Sequence, residues 1–209
     1  MEVVKLLGHI RELSPDQRFP GESSDLRDVR EGSFLETGDD TFRVLRLFVY
    51  LDVKWRGFAL RKSNYWVTEL ELLSLTTGEK HYIEFEFDDE LEVFETVSRV
   101  SLNEVLYRGD KVTHQDLEFI ADEESGELVV NGKRFHYSED DTWAARFFND
   151  KPESVKESDG YPVRFYEFQA DDGTALTVEA WQEEPDEKPE REAFLSKKVP
   201  VGHYRLRQV

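Results

Sequence analysis

From Val49 to Arg56 apolar and polar side chains alternate one by one, with Val49, Leu51, Val53 and Trp55 set against Tyr50, Asp52, Lys54 and Arg56. An extended strand places every second residue on the same face, so this pattern commits the segment to a strand between two unlike environments. The pattern recurs. In Lys80 to Phe87, His81, Ile83, Phe85 and Phe87 face one way, and Lys80, Tyr82, Glu84 and Glu86 face the other. Trp66 to Leu75 and Leu91 to Val97 are also strand-like, and Phe42 to Leu47 carries a phase slip near Leu45-Arg46 that predicts a bulge. Turn chemistry punctuates the strands. Asn131-Gly132 stands between two β-prone arms and tolerates the positive φ that a two-residue hairpin demands. Thr76-Thr77-Gly78 and Asp171-Asp172-Gly173 close two further hairpins.

With Gly78 set on Gly173, Trp66 falls on Tyr161, Leu70 on Phe165, Leu73 on Phe168, Ile83 on Val178 and Glu84 on Glu179. The expected fold class is mainly β: two tandem antiparallel β-meander halves, about 34–101 and 104–209, packed as a sandwich or partly open barrel. Val3, Leu6, Leu7, Ile10 and Leu13 fall at helical spacing, which predicts a short N-terminal helix over residues 2–13. Residues 1–25 then form helix and connector, and residues 26–209 the β-rich domain. Gln17 to Glu31 reads as an exposed connector, and Glu183 to Arg191 as a solvated loop with two prolines.

Charge and residue usage narrow the functions. The 46 acids outnumber the 27 bases, for a net charge of −19. Such a chain lacks the basic surface that displaces counterions from nucleic acid, so no nucleic-acid partner is expected. Absence of cysteine removes disulfides, thiolate metal sites and a cysteine nucleophile. The five histidines form no His-x-His or His-x-x-x-His pair, so no metal site and no cofactor is expected. There is neither a Gly-x-Ser-x-Gly elbow nor a phosphate-cradling glycine loop. A basic n-region with an apolar run is missing from the start, and no run of about 18 apolar residues occurs. A cytoplasmic location without a transmembrane segment is the expectation.

What remains is a set of candidates. Glu84 and Glu179 occupy the return strands of corresponding hairpins, and paired carboxylates are what glycoside hydrolysis uses. Trp66, Tyr82 and Trp181 are candidate binding residues that would suit a sugar. The alternation nevertheless puts Glu84 on a polar face, which reads as solvent-exposed. Two basic islands interrupt the acidity: Lys54, Arg56, Arg61 and Lys62, then Lys197, Lys198, Arg205 and Arg207. Seven acids and no base occupy Glu84 to Glu95, and six acids and no base occupy Asp116 to Glu127. Crowded carboxylates favour a multivalent cation. The preferred function is therefore a non-catalytic module binding a protein partner or a polycation, such as a polyamine or divalent cation. The alternative is a glycosidase-like hydrolase using Glu84 and Glu179.

Several segments together resemble a known family. They are Leu26-Arg27-Asp28-Val29-Arg30-Glu31-Gly32, Thr41-Phe42-Arg43-Val44, Trp66-Val67-Thr68-Glu69-Leu70-Glu71-Leu72 and Tyr82-Ile83-Glu84-Phe85. Gly132-Lys133-Arg134-Phe135, Tyr166-Glu167 and Leu176-Thr177-Val178-Glu179-Ala180-Trp181 continue the likeness. They resemble the bacterial domain of unknown function 4178 family over about residues 26–208. The resemblance implies a β-rich domain and assigns no functional residue. Tyr82-Ile83 stands where members often have Trp-Leu.

Overall fold

The computed structural model describes residues 26–207 except 64, 88, 157 and 183–187, so the helix read over residues 2–13 lies outside the described residues. After a 3-10 turn at Leu26–Asp28 come β1 (Phe34–Glu36), β2 (Thr41–Val53), β3 (Trp66–Ser74), β4 (Lys80–Phe87) and β5 (Leu91–Val100). A middle segment follows, with β6 (Val105–Tyr107), β7 (Asp110–Lys111), helix α1 (His114–Asp122), β8 (Glu127–Val130) and β9 (Lys133–Tyr137). The chain then runs through β10 (Trp143–Phe148), β11 (Tyr161–Gln169), β12 (Thr174–Trp181), β13 (Glu190–Val199) and β14 (Arg205–Arg207).

Eight of these strands close a ring. β2, β3, β4 and β5 form one antiparallel meander, and β10, β11, β12 and β13 form another. Two non-local seams join them, β5 to β13 and β10 to β2, and the result is a closed antiparallel barrel rather than the expected sandwich or partly open barrel. The registers accumulate a stagger of roughly 12 residues round the ring, and large stagger widens an eight-stranded barrel enough to leave space inside. The bulge expected near Leu45-Arg46 is present as a register shift between Val44 and Arg46. The Asn131-Gly132 turn holds both residues at positive φ, 50° and 80°, and pairs Val130 with Lys133 across it.

Three of the four apolar clusters lie outside the ring. Leu70, Leu72, Ile83, Phe85 and Val93 point outward beneath β1, β14 and the 3-10 turn, whose Leu35, Leu206 and Leu26 complete that cluster. Leu26 and Val29 are buried there, which corrects the exposed-connector reading at those two positions; its residues 17–25 lie outside the described residues. On the opposite flank Tyr166, Phe168, Leu176 and Val178 pack beneath β6, β8, β9 and α1. The sequence reading had no helix in this part of the chain. Its signals are a capping box, with the Asp116 N–H donating to Thr113 Oγ1 (3.2 Å) and the Thr113 N–H donating to Asp116 Oδ2 (2.8 Å). Buried Leu117 and Ile120, three residues apart, anchor it. A third cluster, around Leu51, Val53 and Ala144, is covered by Trp55, Phe58 and Leu60 from the β2–β3 connection. Arg146 on β10 ties these coverings down, donating from Nε to the Phe58 carbonyl (3.1 Å) and from a terminal nitrogen to the Asp159 carbonyl (3.0 Å).

Candidate functional site

Because the odd-phase residues of β3 and the even-phase residues of β4 face inward, the polar faces of these strands line the barrel. Glu69 stands directly opposite Glu84 across the β3–β4 ladder. Glu179 on β12 and Glu167 on β11 enter from the other meander. The four carboxylates share one interior, where Glu69, Glu179 and Glu167 raise the energy of ionising Glu84, Glu69 that of Glu179, and Glu179 that of Glu167. This corrects the reading of Glu84 as solvent-exposed: its face was assigned properly, but that face is the inside of a closed ring.

A cavity of about 480 Å³ runs through this interior. Glu69, Glu84 and Glu179 line it, with Tyr50, Tyr82 and Trp181 among the aromatic side chains of its wall. At one end Tyr50, Phe165, Trp143, Phe147 and Trp181 form an aromatic layer, with Trp143 stacked on Phe165 at 4.6 Å. Two permanently cationic side chains are on the cavity wall among the described residues, and both are committed. Lys80 pairs with Glu71, and Arg99 pairs with Glu192 at 2.5 Å.

Three of the four acids have a donor. The Tyr50 hydroxyl donates to Glu69 (2.5 Å), Thr177 Oγ1 to Glu167 (2.9 Å) and Trp181 Nε1 to Glu179 (2.8 Å). Glu84 has neither a hydrogen-bond donor nor a counter-ion among the described residues. It is enclosed by protein, and the surface it retains faces the cavity. Burial, then the charges of Glu69 and Glu179, hold its carboxyl well above the ordinary range. Burial, then Glu69, pushes Glu179 up to about 8, and burial pushes Glu167 up to about 8 against the help of Thr177. Glu69 is raised by burial too, with the Tyr50 hydrogen bond opposing.

The other sequence candidates fall in different places. Tyr82 and Trp181 line the cavity, but Trp66 has the outward phase of β3 and packs against Phe148 and the Leu51 cluster. Five of the eight basic-island residues pair with the protein's own acids, while Lys54, Lys62 and Arg205 are exposed: Arg61 pairs with Asp52 (2.6 Å), Arg56 with Asp122 (3.6 Å) and Arg207 with Glu36 (2.8 Å). Lys198 with Glu92 (2.7 Å) and Lys197 with Glu95 (3.5 Å) cross the β5–β13 seam, as does Arg99 with Glu192. Sequence reasoning missed Glu69 and Glu167 as site residues. The signal was available for Glu69, which shares the inward phase with Glu71.

The profile of the family described as Domain of unknown function (DUF4178) matches residues 30–200. The chain belongs to this family. Its matched region takes in all eight ring strands and every carboxylate of the cavity, so the acidic interior lies within the family domain itself. No curated protein and no solved structure matches the chain. Among the described residues no helix is long and apolar enough to cross a membrane.

Proposed function

We propose that this domain is a non-catalytic binding module and that its ligand is a small organic polycation held inside the barrel. The observation that carries this reading is Glu84, an enclosed carboxylate without donor or counter-ion among the described residues, facing a cavity that it shares with Glu69, Glu179 and the Arg99-paired Glu192. Burying charge without a partner is costly, and a cation in the cavity removes that cost. The volume falls within the roughly 300–1,000 Å³ of small-molecule sites. Aromatic walls add cation–π attraction for an ammonium group. Among the described residues no three acidic or histidine side chains gather as a chelating set, so the acids suit a cation whose charge is spread over several nitrogens.

This reading moves the polycation site from the loop tips to the barrel interior. It also takes the two meanders as a tandem duplication, because Glu84 and Glu179 occupy corresponding return strands. The hydrolase alternative needs one ionised and one protonated carboxyl at the working pH. Burial, with the neighbouring acids behind it, raises all four, which leaves none of them in the ordinary range for the ionised role.

The test is thermal unfolding in sodium, magnesium and spermidine at matched ionic strength, which separates binding from screening. Spermidine is expected to raise Tm above the other two, and the double variant Glu84→Gln with Glu179→Gln to abolish the difference. Coincident melting temperatures in all three salts would overturn the reading. A protein partner would then be the alternative to pursue.

A further inference from the structure

The acidic cavity poses a problem of charge balance. Glu84 on β4 is faced by acids from four directions: Glu69 and Glu71 on β3, Glu179 on β12, Glu167 on β11 and Glu192 on β13. Tyr50 on β2 adds a neutral hydroxyl, already donated to Glu69, and β10 contributes no charge to the aromatic layer. On its own strand stand Lys80, His81, Tyr82 and Glu86. The cations that reach this interior, Lys80 and Arg99 on β5, are paired with Glu71 and Glu192, which leaves Glu69, Glu84, Glu167 and Glu179 without a counter-ion among the described residues. Ionising all four in one enclosed space costs far more than in water, so their protons are held to higher pH than on free carboxyls.

We infer that the barrel alone balances its charge by holding protons on these carboxyls, and that a cationic ligand enters in exchange for them. Each proton leaves for the solvent as an ammonium group takes up the carboxylate it vacates. The cavity therefore discriminates between a cation and a neutral molecule of the same shape, since only the cation can expel the protons. Affinity for the cation rises with pH, because the competing protons are then scarcer.

This exchange rests on the cation-binding reading, and the experiment separates the two. Spermidine is titrated calorimetrically into the full chain near neutral pH, once in phosphate and once in Tris. These buffers differ in the heat of taking up a proton. The expected result is a difference between the two heats equivalent to about one proton or more released per spermidine, reduced in Glu84→Gln. Equal heats in both buffers, with binding intact, would overturn the exchange and leave the ligand assignment standing. No binding heat in either buffer would overturn the ligand assignment and the exchange with it. A second measurement needs no ligand: the side-chain carboxyl resonances of the protein alone should still be titrating near neutral pH. If those of Glu69, Glu84, Glu167 and Glu179 all finish titrating below about pH 5, the exchange is overturned.

Discussion

Strand β3 carries two unlike regions on its two faces. Leu70 and Leu72 are wholly buried beneath β1 and β14, while Glu69 and Glu71, one residue away, point into the ring. The same contrast holds on β12, where Leu176 and Val178 face α1 and β8 but Thr177 and Glu179 face the cavity. Small barrels can be filled by side chains from within. Here the apolar cores lie mostly outside, under added strands and a helix, and that frees much of the interior from packing duty. An interior relieved of the core can hold acids that cost stability, because the outer layers supply it.

The comparison predicts effects of opposite sign on the two faces. The largest is on the outside: Leu70→Ala should destabilise by about 2–5 kcal/mol in denaturant unfolding, through lost burial and a cavity. A change below about 1 kcal/mol would break the assignment of the core to the outer face. On the inside the sign reverses. Glu167 and Glu179 bind protons in the folded state up to about pH 8 but have an ordinary value of 4.5. Their contribution to stability is thus complete below about pH 4.5 and lost as pH rises toward 8. Unfolding free energy should fall across that window, and Glu179→Gln should flatten the fall, by about 1–3 kcal/mol at the upper end. A profile that is flat or rising for the wild type would contradict the buried placement of these acids. Tyr50→Phe, which removes the donor to Glu69, should cost about 1 kcal/mol and shift the Glu69 titration further upward. Smallest of all, Lys198→Ala breaks an exposed pair and should change stability by less than about 1 kcal/mol, an effect that salt erases.

Local patterns revealed the strands, the Val44/Arg46 bulge, the Asn131-Gly132 hairpin and even which residues share a face with Glu84. They could not reveal which face was inside. That depends on β10 reaching back to β2, a pairing of Ala144 with Val53 that no local periodicity encodes. Once the ring closes, a wet-looking face becomes an interior, and Glu84 passes from surface residue to the centre of the site. Trp66 went astray for another reason. Its identity suggested a ligand platform, while its phase, shared with Leu70 and Leu72, placed it outside. Helix α1 was legible in Thr113, Asp116, Leu117 and Ile120, but it is short and surrounded by β-signals.

The seam between β5 and β13 has a consequence for the life of the nascent chain. Synthesis delivers β5 roughly 100 residues before β13, which at about 5–20 residues per second leaves its edge unpaired for some 5–20 seconds. A bare strand edge invites pairing with a neighbouring chain, and charged side chains along it discourage that. Glu92, Glu95 and Arg99 lie along this edge, and each later meets an opposite charge on β13. The same three residues thus put charge on the edge while it is bare and are paired once β13 arrives.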